Sequence, residues 1–574
     1  MKFKPQKMVN WYDLPQLVTI GTQTIISSIF GNYADKREAQ ANVVSTELYY
    51  DYSSMRDCWV DYVADTGDGF DSCYTVASLL AKPALEVDGH QLKRADVLIM
   101  GGDQVYPTPQ KEAYDNRLKG PYEAAFPGQA GEGPCPVLFA IPGNHDWYDG
   151  LTSFMKLFCQ KRKIGNWQTQ QQRSYFAIRL PHNVWIWGID VQLNSDIDYP
   201  QLRYFNEVGG HMKKGDKVLL CTAEPAWIYY SHKRHDQSYA RLRYFEKNLI
   251  EKRGFSLVAT FAGDLHHYAH YCQQDKDQEG KHKFTAGGGG AFMHPTHNLK
   301  KEVILEQQGG ENAEVLSLQA TFPSRQQSRA LAWRNILFVV LNWRYCLGMA
   351  AIYLVLAWLV QSVADIGDTG TLTLMQRLRH TTTLGEAVTA IGRTLQFAPA
   401  VVLGCAAIVG GFVAFTDVTS GKTNWLYVLG GIHGLVHVAN FFALLWLFAY
   451  INQQLLHLYV NTFLQAAVFT VEMLLGGSLV AGLVMGFYFI ITNLLFRIHD
   501  NEAFSSLHYP HFKNFLRLHI TEGQLHIYPV GIRKVTTQWA CTTVKDVKGE
   551  DQLQFSGKEA AVELMEAAPV TIFI

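Results

Sequence analysis

ADVLIMGGDQVY, residues 95–106, is the stretch from which the architecture of this 574-residue chain can be worked out. Its first half is a mainly apolar, β-branched run, the pattern of a buried strand, and its second half is a polar loop that carries Asp103 and Tyr106. Three more stretches repeat this layout: runs at 59–64, 136–141 and 255–262 lead into DTGD (65–68), PGNHDW (142–147) and GDLHHY (263–268). Such loops bring carboxylates, an amide oxygen and imidazoles to one point, which predicts a metal site in an α/β fold.

The ordered set of motifs resembles that of the calcineurin-like metallophosphoesterases, in the branch shaped like purple acid phosphatases: DxG, GDxxY, GNHD and a late Gly-x-x-His. The resemblance extends over roughly residues 50–300. It implies a two-sheet α/β sandwich flanked by helices, and hydrolysis of a phosphoester by a metal-activated hydroxide. The string GGGGAFMHPTH, residues 287–297, is similar to one in bacterial members of this family.

The same resemblance implies roles for single residues. Asp103 bridges two metal ions, and Asn144 belongs to the second ion. The first ion is completed by Asp65, Tyr106 and His266. His145 is the implied general acid, which protonates the leaving alkoxide, and Asp146 beside it is a further catalytic candidate.

Two departures from the family pattern weaken the second metal position. Where members place a His between a strand and a Pro, this chain reads VLLCTAEPAW, so Ala223 stands at the ligand position. The late motif, usually Gly-His-x-His, has Asp264 in place of its first imidazole. The remaining ligands Asp103, Asn144 and Asp264 are all oxygen donors, which suit Mn, Mg or Ca, while Fe or Mn suits the first position.

Three interpretations of this altered site stay open: an enzyme with a harder second metal, an enzyme with one metal, and a binding protein without turnover. The chain therefore holds one or two divalent or trivalent ions. Substitute ligands are sought among nearby histidines, which also fit surface or supporting positions: His232, His235 and His267.

Four consecutive glycines follow the last metal motif. Glycine allows the backbone to approach a ligand closely, so Gly288 and Gly289 are candidates for contact with a substrate phosphate, together with His294 and His297. A tight turn at a sheet edge is the alternative explanation of the same glycines.

The second half of the chain is dominated by apolar runs at 345–364, 395–415, 425–450 and 462–496. A helix needs about 20 residues to cross a bilayer, so these runs predict four transmembrane helices. We therefore divide the chain into an N-terminal amphipathic segment (1–45), a catalytic domain (46–330), a transmembrane domain (336–496) and a β-rich segment that packs on the catalytic domain (497–574).

Two patterns flank the catalytic domain. Before it, an apolar stripe at loosely helical spacing fits either the membrane interface or packing on the domain: Leu14, Leu17, Val18, Ile25, Ile26, Ile29 and Phe30. After the last span, FLRLHITEGQLHIYPVGI alternates apolar and polar residues around Glu522 and Gly523, which predicts a β-hairpin.

The sequence favours an inner membrane location with both termini on the cytoplasmic side, as in a bacterium. The first 16 residues, MKFKPQKMVNWYDLPQ, lack the continuous apolar stretch of a signal peptide, and the nine cysteines show no disulfide pattern. Arginines at 325, 329, 334 and 344 fit the positive-inside rule, whereas those at 377, 379 and 393 oppose it.

Within the predicted spans, His433 and His437 lie four residues apart and Glu472 follows in the next span. Ionisable groups in a membrane are candidates for function, and hydrogen bonding between helices is the structural alternative. The hypothesis of a channel or transporter is supported by these three residues alone.

Together the two halves predict a membrane-anchored phosphoesterase that hydrolyses a phosphoester or pyrophosphate. The substrate is a membrane lipid in the first hypothesis and a soluble phosphoester in the second. The alternative is a membrane-bound sensor or scaffold that binds a phosphorylated ligand without turnover. Nucleic acid is not expected as a partner, because 50 basic residues are balanced by 51 acidic ones and the catalytic region has no basic stripe. The oligomeric state is not readable.

Overall fold

Chain segments that lie far apart in sequence build one α/β unit of this protein, which is known from a computed structural model. Met1–Val9, Thr19–Arg329 and His508–Ile574 form that α/β unit, and Asn10–Val18 with Ala330–Leu507 form a helical unit. The residues that the structure describes are 3–19, 21–22, 47–127, 135–191, 197–232, 236–273, 280–305, 313–363, 365–367, 370–417, 425–459, 462–545 and 551–574.

The strands of the α/β unit come in two groups, one before and one after the helical unit. The first group is β1 (Tyr50–Asp51), β2 (Cys58–Val63), β3 (Ala84–Val87), β4 (His90–Lys93), β5 (Val97–Met100), β6 (Val137–Ala140), β7 (Lys163–Ile164), β8 (Trp167–Thr169), β9 (Phe176–Arg179), β10 (Val184–Gly188), β11 (Lys217–Cys221), β12 (Ser256–Ala262), β13 (Tyr268–Gln273), β14 (His282–Ala286), β15 (Glu302–Leu305) and β16 (Glu314–Phe322). In the helical unit lie β17 (Asp365–Gly367) and β18 (Gly370–Leu372). The second group is β19 (Lys513–Thr521), β20 (Gln524–Ile532), β21 (Ala540–Lys545), β22 (Asp551–Ser556), β23 (Glu563–Leu564) and β24 (Val570–Phe573).

Most of these strands form two large sheets. The first has the order β23-β20-β19-β2-β5-β6-β8-β7, with β24 also paired to β20, and the second has the order β1-β9-β10-β11-β12-β14-β13-β16-β15. The central strands β2, β5 and β6 are parallel and buried on both faces, as their apolar runs predict. The sheets pack face to face, since Phe139 of β6 contacts Phe176 of β9 at 5.0 Å between ring centroids. The predicted two-sheet α/β architecture is confirmed.

Helices cover the outer faces of the sheets. The longer ones in the α/β unit are Phe70–Leu80, Gly120–Ala125, Thr152–Phe158, Tyr199–Gly209, Ala226–His232 and Gln237–Phe245. One apolar cluster, which includes Val63, Leu98 and Leu138, fills the space beside the first sheet. A second cluster around Trp187, Phe205 and Phe245 lies beside the second sheet.

The hairpin β19–β20 turns at Glu522 and Gly523, where the alternating sequence pattern predicts a turn, and Gly523 adopts the required positive φ of 77°. Its strand β19 pairs antiparallel with β2, with Leu516 opposite Tyr62. The buried apolar residues of β19, such as Phe515, thus belong to the core beside the first sheet.

A buried ion pair holds β19 against β2. Arg517 Nε and Nη2 each donate to Asp61 carboxylate oxygens at 2.7 Å, and the two side chains are 0% and 2% exposed. Such a bidentate pair is costly to break because the remaining charge stays buried.

We expect Arg517→Met to lower the free energy of unfolding by about 3–5 kcal/mol, measured by urea unfolding of the detergent-solubilised protein. The double substitution Arg517→Met with Asp61→Leu is expected to recover most of this loss, because no charge is then stranded. Arg533→Met is the matched control, since its partner Glu563 is a surface residue and the pair contributes at most about 1 kcal/mol. Equal losses for Arg517→Met and Arg533→Met would contradict the role of the buried pair.

Three helices of the helical unit are long and apolar enough to span a membrane: Trp343–Gln361, Leu426–Leu455 and Phe463–Phe496. The predicted span at 395–415 is instead a bent pair, Leu384–Gln396 and Pro399–Phe415, with 108° between the two helices. Pro399 stands at the first position of the second helix, where its missing N–H costs no hydrogen bond. The chain is thus consistent with a membrane protein of three candidate spans, or four if the bent pair counts as one.

The N-terminal segment is divided between the units. Val9 N donates to Asp68 Oδ1 at 2.7 Å, which fixes Val9 on the DTGD loop, and Phe3 packs on Phe70 of the helix that follows this loop. Residues 10–18 belong to the helical unit, where Tyr12 packs edge-on against Phe338. Leu14, Leu17 and Val18 of the predicted stripe are 39–67% exposed. The other stripe residues, Ile25, Ile26, Ile29 and Phe30, lie outside the described residues, and the membrane-interface placement stays a prediction.

Candidate metal centre

Four loops meet where strands of both sheets end. Asp65 follows β2, Asp103 follows β5, Asn144 follows β6 and Asp264 follows β12. Backbone hydrogen bonds tie neighbouring loops together, since Asp65 N donates to Gly102 O at 3.0 Å and Thr66 N donates to Asp103 O at 3.1 Å. The loops that the sequence motifs identified are therefore one structural assembly.

The phenol of Tyr106 lies at the middle of the buried part of this assembly. Its Oη lies 2.8 Å from Asp65 Oδ1, 3.2 Å from Asp103 Oδ2 and 3.0 Å from His266 Nε2. Asp65, Asp103, Tyr106 and His266 are all nearly inaccessible to solvent. The structure thus brings together the four residues proposed for the first metal position.

The three carboxylates share an uncommon backbone conformation. Asp65, Asp103 and Asp264 have φ values of 58°, 47° and 65°, in the left-handed region that non-glycine residues adopt infrequently. Such conformations persist where the surrounding structure enforces them, and they concentrate at functional sites.

The site holds its charges away from water. Burial raises the pKa of Asp65 well above its ordinary value, and the neighbouring Asp103 raises it further. Burial and the charge of Asp264 raise the pKa of Asp103 to about 8. Burial lowers the pKa of His266, and His294 adds to this shift. A bound cation would compensate this concentration of buried acids.

Asn144, His145 and Asp264 are only partly buried and form the open side of the assembly. Asn144 Oδ1 is itself shielded from solvent, and no described residue donates a hydrogen bond to it. This orphaned amide oxygen fits a metal ligand, because buried polar atoms without a partner are uncommon.

Ala223 follows β11 beside the GDLHHY loop, at the position where the sequence departs from the family pattern, and its place at a second metal ion stays a prediction. It is 5% exposed, and its carbonyl accepts a hydrogen bond from Gly263 N at 3.1 Å. Its methyl group brings no donor to this position. The structure supplies instead Tyr229, whose hydroxyl donates to Asp264 Oδ2.

Sequence reasoning missed Tyr229. Of the substitute ligands that it considered, His232 ends the same helix, Ala226–His232, His267 is buried, and His235 lies outside the described residues. The available signal was Pro225, which indicates that a helix starts there. A side chain one turn into this helix lies on the face beside the end of β11. Tyr229 is thus a partner that orients Asp264.

His145 and Asp146 have different surroundings. His145 N donates to Asp103 Oδ1 at 2.8 Å, and His145 Nδ1 lies 2.8 Å from Pro107 O. Since a carbonyl only accepts, Nδ1 carries a hydrogen, and Nε2 is the nitrogen that would carry a transferable proton. Burial lowers the pKa of His145.

Asp146 is fully buried, and its carboxylate is engaged with the protein. Gly143 N donates to Oδ2 at 2.9 Å, Gln104 N donates at 3.2 Å, and the Tyr114 hydroxyl donates to Oδ1. These contacts join the GNHD loop to the GDxxY loop. The structure gives Asp146 a positioning role, and direct participation in catalysis stays a prediction.

The glycine loop, residues 287–290, is inserted between the diverging ends of β2 and β19. Gly289 N donates to Ala64 O at 2.9 Å on one side, and Asn514 N donates to Gly288 O at 2.9 Å on the other. A Cβ at Gly290 would overlap Thr66 O, and one at Gly288 would overlap Asn514 Nδ2. The glycines are therefore required for packing beneath Asp65, and their contact with a substrate stays a prediction.

The two histidines after the glycine loop lie in different places. His294 stacks on His266 with 4.2 Å between ring centroids, so it adjoins the metal candidate. His297 Nδ1 lies 2.8 Å from Ser328 Oγ, and His297 is 6% exposed. The structure places His294 at the centre and anchors His297 against a helix.

Metal ions fit this donor set. No group of three or more His, Cys, Asp or Glu side chains in the described part of the chain is arranged as a metal site by itself. The convergent set depends also on the phenol of Tyr106 and the amide of Asn144. Carboxylate, phenol and amide oxygens with one imidazole are donors for hard or borderline cations.

Comparisons with known proteins agree with this chemistry. Residues 59–268 match the family model described as calcineurin-like phosphoesterase, so the predicted phosphoesterase domain is confirmed. The family implies divalent or trivalent metal ions. The match covers less than half of the chain, and no curated protein is similar enough to match it.

Among solved structures, the chain is similar to a purple acid phosphatase from seeds of yellow lupin (Lupinus luteus), at 10% identity and a TM-score of 0.30, covering 46% of this chain and 48% of that one. It is also similar to PhoD, at 14% identity and a TM-score of 0.26, covering 42% of this chain and 58% of that one. The chain thus spans about half the length of these two proteins.

Proposed function

We propose that this chain, whose residues 59–268 form a calcineurin-like phosphoesterase domain, is a membrane-anchored enzyme that hydrolyses a phosphoester or pyrophosphate on a membrane lipid. The observation that carries the proposal is the continuity of the chain. Besides the short segment 10–18, it passes between the α/β unit and the helical unit at residues 329–330 and 507–508 with no long linker. The helical unit carries helices able to span a membrane, so both ends of residues 330–507 tether the site to a bilayer.

The pairing of β19 with β2 bears on the span count. Both strands belong to one sheet, so the chain leaves the α/β unit at residue 329 and returns to it at residue 508 on the same side of a membrane. The number of crossings is therefore even. We propose four, with the bent pair Leu384–Gln396 and Pro399–Phe415 as the second, and a cytoplasmic α/β unit of a bacterial inner membrane protein.

The residues of the centre have separate tasks in this proposal. Asp65, Tyr106, His266 and the bridging Asp103 would hold the first ion, and Asn144 and Asp264 with Asp103 would hold a second. When bound, such ions lower the pKa of water and offset the charge of phosphoryl oxygens. Mn, Mg or Ca suits the second position, because it offers only oxygen donors.

We expect His145→Ala to slow turnover by about 100- to 10,000-fold for an alkyl phosphoester, because its leaving alkoxide needs a proton. An aryl phosphoester with a stable leaving group is expected to lose far less. Metal content, measured by elemental analysis, should stay unchanged, since His145 is not one of the proposed ligands and its imidazole Nδ1 bonds to Pro107 O. Equal losses for both substrates would contradict a general acid.

The lipid substrate is tested by comparing one phosphoester head group on two carriers, with the metal-loaded full chain in lipid nanodiscs. A lipid phosphomonoester in the bilayer is expected to be hydrolysed with a kcat/KM at least about tenfold higher than a soluble alkyl phosphate of the same head group. A preference for the soluble ester would overturn the lipid substrate, while the hydrolysis itself would still support a phosphoesterase.

A binding protein without turnover is the second candidate function. It is favoured by Ala223, which brings no ligand to the second metal position. Metal bound at full occupancy, with no hydrolysis of any ester under added Mn²⁺, would establish it. Hydrolysis of either ester would exclude it.

A further inference from the structure

A cavity of about 400 Å³ opens between the helices Leu426–Tyr450 and Phe463–Ile491 of the helical unit. Its volume lies in the range of sites that take small molecules, which are mostly apolar with a few placed polar groups. Its lining follows this pattern: the side chains are aliphatic or aromatic except for His433, Asn440, Tyr488 and Thr492.

His433 is held rigidly at this cavity. The residue is 3% exposed, and its ring stacks on Tyr488 with 3.9 Å between centroids and contacts Phe412 at 4.1 Å. One ring nitrogen, Nε2, lies 3.1 Å from His437 Nε2. The other, Nδ1, is shielded from solvent and has no hydrogen-bond partner in the described part of the chain. A buried polar atom of this kind costs free energy unless a ligand or water bonds to it.

Of the other three polar side chains at the cavity, Tyr488 and Thr492 are already engaged. Asn440 is only partly buried, so its amide does not depend on a ligand as the shielded His433 Nδ1 does. Tyr488 Oη lies 3.0 Å from His499 Nε2, and Thr492 Oγ1 donates to Tyr488 O at 2.7 Å. Among the residues that the structure describes, no lysine, arginine, aspartate or glutamate lines the cavity. The cavity therefore favours an uncharged ligand that makes its principal hydrogen bond to His433.

A chain of hydrogen bonds determines what that ligand must offer. Tyr353 Oη lies 2.5 Å from His437 Nδ1, and His437 Nε2 bonds to His433 Nε2. If Tyr353 donates, His437 donates onward and His433 Nδ1 carries a hydrogen; if Tyr353 accepts, His433 Nδ1 is an acceptor. A hydroxyl both donates and accepts, so it satisfies either arrangement.

We propose that this cavity binds the hydroxyl head of an uncharged lipid alcohol from the bilayer. Apolar lining residues that are about half exposed, such as Ile432, Phe487 and Ile491, would contact its hydrocarbon chain. The site stands independently of hydrolysis. If the proposed function holds as well, this class of molecule is what remains when phosphate is removed from a lipid phosphomonoester.

The test compares three photoreactive, alkyne-tagged probes of one chain length, added to the full chain in lipid nanodiscs. The probes end in a hydroxyl, a methyl group or a phosphate. We expect the alcohol to label peptides of the two cavity helices about two- to tenfold more than the methyl probe, the ratio that one neutral hydrogen bond provides. The phosphate probe should label them least. Equal labelling by alcohol and methyl probes would overturn the proposal, and stronger labelling by the phosphate would assign an anion site instead.

Variants sharpen the test. His433→Leu is expected to abolish the preference for the alcohol over the methyl probe, while Leu435→Ala, a 59% exposed position on the same helix outside the lining, keeps it. A preserved preference in His433→Leu would overturn the assignment to His433. Should His433→Leu fail to fold, the three-probe ratio in the unaltered chain still decides. Hydrolysis of a soluble aryl phosphate by His433→Leu is expected to be unchanged, which separates this site from the metal centre.

Discussion

Asp103→Asn is expected to remove metal ions and turnover together. Asp103 Oδ2 lies 3.2 Å from Tyr106 Oη, and Asp103 Oδ1 accepts a hydrogen bond from His145 N. The substitution takes one negative charge from the position that both proposed ions share. Even supporting groups around a metal cost about 10- to 100-fold when removed, so kcat/KM should fall by more than about 100-fold. Elemental analysis and phosphoester hydrolysis measure the two effects.

The same variant should not be less stable without metal. Burial and the charge of Asp264 raise the pKa of Asp103, because both disfavour a second negative charge in the metal-free protein. The amide of asparagine is neutral and carries no such charge, so the thermal midpoint after chelation is expected to stay equal or rise. Asp51→Asn is the control, because this carboxylate is 43% exposed and pairs with Arg179 at the surface. Full metal content and activity in Asp103→Asn would remove the proposed site.

Gly290→Ala is the second change with a large expected effect. Its new methyl group would overlap the backbone oxygen of Thr66, which cannot move as a flexible side chain would. Overpacking lowers the free energy of unfolding by about 1–3 kcal/mol. We expect the upper end of this range for Gly290→Ala, because the overlapping atom belongs to rigid backbone. The displaced segment includes Asp65, whose carbonyl accepts from Ala291 N at 2.9 Å, so metal content should fall as well as stability.

Gly385→Ala is the matched control for this change. Gly385 lies in the helix Leu384–Gln396 with open space around it, so alanine there is expected to be neutral or slightly stabilising. Urea unfolding and elemental analysis of the two variants give the comparison. A Gly290→Ala protein with normal stability and full metal content would show that the glycine loop is not needed for packing.

The ligand loops were predictable because one rule applies to each. An apolar run followed directly by a polar loop identified the strand ends that carry Asp65, Asp103 and Asn144, and the order of the motifs indicated the phosphoesterase domain that the family model matches. The tight contacts of Gly288 and Gly290 were not predictable, since the glycine run is equally compatible with ligand contact and with packing. That distinction depends on which strands pass on either side of the loop.

Contacts that join distant segments were also beyond sequence reasoning. The alternation of residues 513–532 predicted a hairpin, but nothing in it indicated that β19 would pair with β2 or that Arg517 would meet Asp61. Tyr229 was missed for a related reason, because Pro225 indicates where its helix starts but a tyrosine on a short helix carries no motif that indicates a contact with Asp264. The bent pair at residues 384–415 differs from the predicted single span because Pro399 starts a new helix within the apolar stretch.

The pairing of β19 with β2 also determines when the centre can form during synthesis. Asp61 and Arg517 are 456 residues apart, and the helical unit is made in the interval. At typical rates of roughly 5–20 residues per second, β2 waits between about 20 and 90 seconds for its neighbour. The glycine loop has no second strand to lie against during that time. A nascent chain therefore carries all four residues proposed for the first metal position well before β19 is available to support the glycine loop beside them.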